Sequence, residues 1–123
     1  MERNPVGWFE IYVQEMDRAK QFYETVLGIT LSKLDAGDLE MQAFPGGPAL
    51  NGSTGALVHM TGVPSGGNSV MVYFSCADCA TEGSRVGDAG GRIMRDKFSI
   101  GQYGFVVLAF DTEDNMFGLH SMQ

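Results

Sequence analysis

Basic runs are missing from this sequence. Eight Lys and Arg against fifteen Asp and Glu leave a net charge of −7, and without a basic footprint neither nucleic acid nor an anionic membrane surface is expected as a partner. No apolar run approaches the ~20 residues that cross a bilayer. The opening Met1-Glu2-Arg3-Asn4-Pro5 has neither the basic nor the apolar segment of a secretion signal. The expected location is the cytoplasm, where the two cysteines, Cys76 and Cys79, stay thiols. Their C-x-x-C spacing falls at the start of a predicted helix, where a thiolate is stabilised. With no second pair and no neighbouring His, an ordinary strand-to-helix turn is the stronger reading. No Gly-x-Gly-x-x-Gly follows a strand and no Ser sits in a nucleophile elbow, so neither a phosphate cradle nor a Ser-His-Asp hydrolase is expected.

What is there is an ordinary globular composition, 44% hydrophobic and 19% charged over 123 residues. That length fits one domain, residues 1–123, with a core of its own. The run Trp8-Phe9-Glu10-Ile11-Tyr12-Val13 is aromatic and β-branched and reads as a strand. Its period of two puts Phe9, Ile11 and Val13 on a core face and Trp8, Glu10 and Tyr12 on the other, a carboxylate framed by two large aromatics. Ala19, Phe22, Tyr23, Val26 and Leu27 then recur at helical spacing. Asp17 is the expected N-cap and Gly28 the expected left-handed stop.

Strands are predicted at 29–34, 39–44 and 56–60, with the Gly- and Pro-rich stretch from Pro45 to Gly55 as a mobile loop over a binding site. Residues 62–68 read as a linker between a first module, about 5–61, and a second, about 69–121. The second repeats the order of the first: a strand at 70–75, a helix from Asp78 to Ala89 ended by Gly90 and Gly91, then strands at 92–94, 103–110 and 116–120. Asp111 to Asn115 is the turn between the last two. Gly83 and Gly87 weaken that second helix, which is expected to depend on tertiary packing.

Two βαβββ modules, the Phe22-Tyr23 pair on the first helix, and the stretches Ile100 to Phe105 and Phe110 to His120 together resemble the vicinal oxygen chelate superfamily. That group includes glyoxalase I, bleomycin-resistance proteins, fosfomycin-resistance enzymes and extradiol dioxygenases. The resemblance implies an α+β fold of two curved mixed sheets around a cavity, and a homodimer that binds a small molecule. It also implies divalent-metal ligands on the first and last strands of each module. At those positions this chain has Trp8, His59, Met71 and Gly118; indole and glycine offer no ligand and thioether prefers soft metals. No tightly bound metal is therefore expected. The alternative is a shifted set of Glu10, His59 and His120, a donor set suited to Fe(II), Zn or Mn in a lyase, isomerase or dioxygenase.

The resulting expectation is a cavity with Glu10 as its general base and with Trp8, Tyr12, His59, Met71, Tyr73, Tyr103 and His120 as ligand-binding residues. Each has a plainer reading beside the functional one. Glu10 is equally well an exposed or paired carboxylate, the two histidines hydrogen-bond locally, Met71 fills space, and Tyr103 holds its turn by packing.

Overall fold

A computed structural model describes residues 4–47 and 50–123. The element order is β1 (Trp8–Tyr12), α1 (Met16–Leu27), β2 (Ser32–Ala36), β3 (Leu39–Ala43), β4 (Thr54–His59), β5 (Tyr73–Ser75), α2 (Cys79–Val86), β6 (Arg92–Ser99), β7 (Phe105–Phe110) and β8 (Met116–Ser121), with a 3-10 turn at Gly101–Tyr103. Two four-stranded sheets result, ordered β1-β4-β3-β2 and β5-β8-β7-β6. In each, the first strand of a βαβββ module runs parallel to the last and the other pairings are antiparallel. No helix among the described residues is long and apolar enough to cross a membrane.

The faces follow from register. Phe9, Ile11, Leu57 and Phe44 of the first module join Phe74, Val107, Phe117 and Leu119 of the second in one core with the helices. Phe22 and Tyr23 of α1 stand at its centre: Tyr23 lies 5.7 Å from Phe44, 5.8 Å from Phe74 and 5.6 Å from Phe117 between ring centroids. Edge and tilted contacts of this kind add to the burial of the rings themselves. Ala56, Val58 and Val106 are also buried, yet belong to no part of that core. They lie on the opposite, open faces of the sheets, opposite Glu10, Tyr12 and His120.

Several boundaries differ from the sequence expectation, each for a physical reason. α1 begins at Met16, and its N-cap is Glu15 without a side-chain bond, not Asp17. The cap comes from far away, since Oε1 of Glu113 accepts the N–H groups of Gln14 at 2.9 Å and Glu15 at 3.1 Å. The other end is as expected: Gly28 takes φ 66° and its N–H bonds Glu24 O. α2 stops at Val86, and residues to Gly91 continue as turns in which the Gly91 N–H bonds Val86 O. Gly83 faces Val107, which a Cβ at that position would meet at an ordinary contact distance of 3.4 Å, so packing does not demand glycine there.

β5 is three residues long because Asn68 holds the preceding chain: its amide donates to Val70 O and Met116 O and accepts the Met116 N–H. β6 runs on to Ser99 through two irregularities in its pairing with β7. Thr54 and Gly55 belong to β4, and within the expected mobile loop Pro48 and Ala49 lie outside the described residues.

Candidate functional site

The open face of β1 carries a self-contained group. Trp8 Nε1 donates to Glu10 Oε2 at 3.1 Å and the Tyr12 hydroxyl donates to Glu10 Oε1 at 2.7 Å. The three residues sit at alternate positions of one strand, so the pleat alone brings them side by side. One carboxylate thereby fixes two rings. The hydrogen bond to Glu10, then burial and the carboxylate's charge, hold the Tyr12 phenol above its ordinary range, so it remains a donor. Trp8 is nonetheless 43% exposed. Beside this group lies a cavity of about 610 Å³, closed on its other side by Pro64, Gly66 to Val70, Asn115 and Met116.

That second wall is built by side chains reaching the backbone at the end of β1. Tyr12 O accepts from Ser65 Oγ at 2.6 Å and from Asn115 Nδ2 at 3.0 Å, while Asn115 Oδ1 accepts the Gly66 N–H at 2.7 Å. Asn115 is in turn held by Asp111, which also receives the Tyr23 hydroxyl. Burial lifts the Asp111 carboxyl above the usual carboxylate range against the pull of these bonds, and pushes Tyr23 well above the usual phenol range. The cavity wall, the buried aromatic core and the last turn are one connected network.

The other expected site residues do not gather here. His59 pairs in register with Glu40, two positions along from the Leu57–Gln42 pair, and so shares the helix face of its sheet with Leu57, opposite to Glu10. Its Nδ1 lies 2.9 Å from Val13 O, where only an N–H donor fits, so it ties down the end of β1. His59 is therefore corrected from cavity residue to strand fastener, and the shifted set of Glu10, His59 and His120 does not assemble. Among the described residues no three His, Cys, Asp or Glu side chains form a metal-holding group. Met71 lies before β5, in a second cavity of about 520 Å³ with Phe9, Phe44, Phe74 and the loop residues Asn51 to Ser53.

Tyr73 and His120 line a third cavity of about 380 Å³ on the open face of the second sheet, with Ser75, Phe98, Ile100, Val106 and Leu108. Tyr103 is 65% exposed in its turn, and its carbonyl oxygen lies 2.6 Å from His120 Nε2. Sequence reading missed Ser75 and Phe98 as lining residues. Alternation from Tyr73 points to Ser75, but Phe98 reaches this face through an irregularity in strand pairing that no sequence pattern announces.

The residues at the metal positions implied by the fold do not fit a divalent ion. Trp8 is bonded to Glu10, and the space above Gly118 is filled: a Cβ at 118 would meet the Tyr73 ring at 2.3 Å. The C-x-x-C pair is inert by placement. Cys79 is buried, and burial first, then the nearby Glu82, pushes the Cys76 thiol up to about 12.

Two packed βαβββ modules with open sheet faces and cavities define the class, and the sequence agrees with the fold. The model of the Glyoxalase/Bleomycin resistance protein/Dioxygenase superfamily matches residues 6–118, and the chain belongs to that superfamily. No curated protein matches it. Among solved structures it resembles the hypothetical protein SA1046 from S. aureus, at 17% identity and TM-score 0.74, over 98% of this chain and 95% of that one. It resembles TnmS3, an antibiotic binding protein from Streptomyces sp. CB03234, at 19% identity and TM-score 0.73, over 98% of each chain. It also resembles glyoxalase I from Zea mays, at 19% identity and TM-score 0.74, with 94% of this chain laid on 44% of that one. At these identities the likeness is one of fold.

Proposed function

We propose that this protein binds a small, flat organic molecule on the open face of β1 and has no tightly held metal at the family position. The observation that carries the reading is the Trp8–Glu10–Tyr12 group, an exposed indole fixed by a carboxylate beside a cavity of about 610 Å³. That volume is within the ~300–1,000 Å³ typical of small-molecule sites. Each Glu10 oxygen accepts one internal bond and keeps room for a second donor. The rings favour stacking and cations, worth ~0.5–2 kcal/mol per contact. The resemblance to an antibiotic binding protein supports the same direction.

We further propose a homodimer. The open sheet faces bury Ala56, Val58 and Val106 only under their own neighbours, while Trp8, Tyr73 and Val70 stay exposed. A second copy set against these faces would turn the shallow cavities into enclosed ones. Sedimentation showing only a 13.3 kDa species at micromolar concentration would overturn this part.

Trp8 is the sole tryptophan, so its emission reports directly on the site. Titration with aromatic cations, catechols, thiol adducts and glycopeptide drugs should yield saturable quenching and a raised melting temperature for at least one class. Trp8→Ala should abolish that stabilisation while leaving the fold intact, and Glu10→Gln should remove any preference for cations. Stoichiometric zinc, nickel or iron that survives dialysis and is lost in His59→Ala would reverse the reading in favour of a metal-dependent enzyme.

A further inference from the structure

The third cavity, on the open face of the second sheet, has the opposite chemistry to the Trp8 face, and two of its polar groups, the Tyr73 and Ser75 hydroxyls, make no hydrogen bond among the described residues. His120 also lines it. Its Nε2 lies 2.6 Å from Tyr103 O, and because a carbonyl only accepts, that nitrogen carries the proton and Nδ1 is left free. The remaining lining residues, Phe98, Ile100, Val106 and Leu108, are apolar.

The nearby positive charge is that of Arg95, which does not itself line the cavity but stacks on the lining residue Phe98. In a regular strand residues 95 and 98 would face opposite sides, but the pairing of β6 shifts between them, so that Arg95 lies opposite Leu108 and Phe98 opposite Val106. Irregularities of this kind re-aim side chains. Both residues thus share the cavity's face, and the Arg95 guanidinium sits 3.7 Å above the centre of the Phe98 ring. Stacking uses the flat face of the guanidinium and leaves its N–H edges free for a planar acid. Arg18, Lys20, Arg92 and Lys97 have carboxylate partners and Arg85 donates to Val26 O, whereas Arg95, like Lys33, has no ion pair among the described residues and, unlike Lys33, is stacked beside a cavity. In a chain of net charge −7, this arginine forms no ion pair among the described residues and is held by a ring that lines an apolar cavity.

We propose that this cavity takes the carboxylate end of a small aromatic or branched apolar acid. Arg95 pairs with the carboxylate at the rim, Ser75 and His120 offer further polar contacts, and Phe98, Val106 and Leu108 cover the apolar body. A bidentate guanidinium–carboxylate pair is the strongest and most directional recognition available to these groups. The proposal rests on the small-molecule reading above and requires no second protomer.

The test uses the wild-type protein with three matched probes: 2-naphthoate, the neutral 2-naphthamide, and the cation 2-(aminomethyl)naphthalene. Calorimetry gives the affinities, His120 ring proton resonances report on this cavity, and Trp8 emission reports on the other face. The expected result is naphthoate binding at least roughly tenfold tighter than the amide, as a charge-assisted pair requires, with His120 resonances shifted. In Arg95→Gln the two affinities should become nearly equal at an unchanged melting temperature. Equal binding of acid and amide to the wild type, or a preference for acid that survives Arg95→Gln, overturns this proposal and leaves the small-molecule reading intact. So does binding of the cation alone with quenching of Trp8. Failure of all three probes to bind overturns the proposal and counts against the wider reading as well.

Discussion

Arg18 on the first helix and Glu113 in the turn before the last strand meet at 2.8 Å, Nε to Oε2. The Glu113 side chain is 0% exposed, and it also takes the Thr112 hydroxyl and the backbone N–H groups of Gln14 and Glu15. One residue therefore closes the start of α1 and fastens the two modules together. Glu113→Ala leaves these donors facing a gap and should destabilise the protein by about 3 kcal/mol in urea denaturation. Arg18→Met should cost less, about 1 kcal/mol, since that side chain is 49% exposed and the backbone donors keep their acceptor.

The same group sets the acid limit of the fold. Burial alone would raise the Glu113 carboxyl, but Arg18, Thr112 and the two N–H groups outweigh it and bring it down to about 2 from an ordinary 4.5. The folded value lies below the unfolded one, so the stabilisation is whole above pH 4.5 and fades as pH falls from there towards 2. At neutral pH it amounts to about 3 kcal/mol. Asp111 works with the opposite sign: burial raises it, so its contribution is present at low pH and lost as pH rises through its folded value. Urea midpoints across this range should fall towards acid in the wild type, and Glu113→Gln should flatten the slope between pH 4.5 and 2.

How much of this was open to a reader of the sequence depends on distance along the chain. The strand of Trp8, Glu10 and Tyr12, the α1 stripe and the Gly28 stop are local patterns, and period and turn chemistry suffice for them. Asp17 was the natural local choice of N-cap. Glu113 won because a carboxylate 98 residues away accepts the Glu15 N–H at that end, a contact with no local trace. His59 failed as a cavity residue for want of register: its parity could be settled only once Ala56 was seen to pair with Glu10. Arg95 and Phe98 escaped for a related reason, since a strand that breaks its own period hides which side chains share a face.

The cysteines offer a simple chemical check. A thiol held at about 12 is almost wholly protonated at neutral pH, and Cys79 lies in the core. Because the thiolate is the reactive form, native protein at pH 8 should react with a disulfide reagent far more slowly than the same protein in denaturant. Rapid modification of Cys76 in the folded state would show that its environment is other than described.

The relation between Gly118 and Tyr73 gives a test of the proposal that the family metal position is closed in this chain. The strands carrying them are paired in register, and the Tyr73 ring lies so near that a Cβ at 118 would stand 2.3 Å from it. Gly118→Ala must push the ring aside; because Tyr73 is 50% exposed, the ring has somewhere to go, and the expected cost is about 1 kcal/mol. In a Tyr73→Ala background the clash is absent, and alanine's smaller unfolded-state entropy should then make Gly118→Ala neutral or stabilising by about 0.5 kcal/mol. The double-mutant cycle should accordingly show a coupling of about 1–2 kcal/mol. Gly118→Glu should be more disruptive than Gly118→Ala while Tyr73 is present and should gain no tightly bound divalent ion, because Trp8 still stands at a partner position. If Gly118→Ala is as stable as wild type with Tyr73 in place, the ring does not fill that space, and the closed metal position would need another cause.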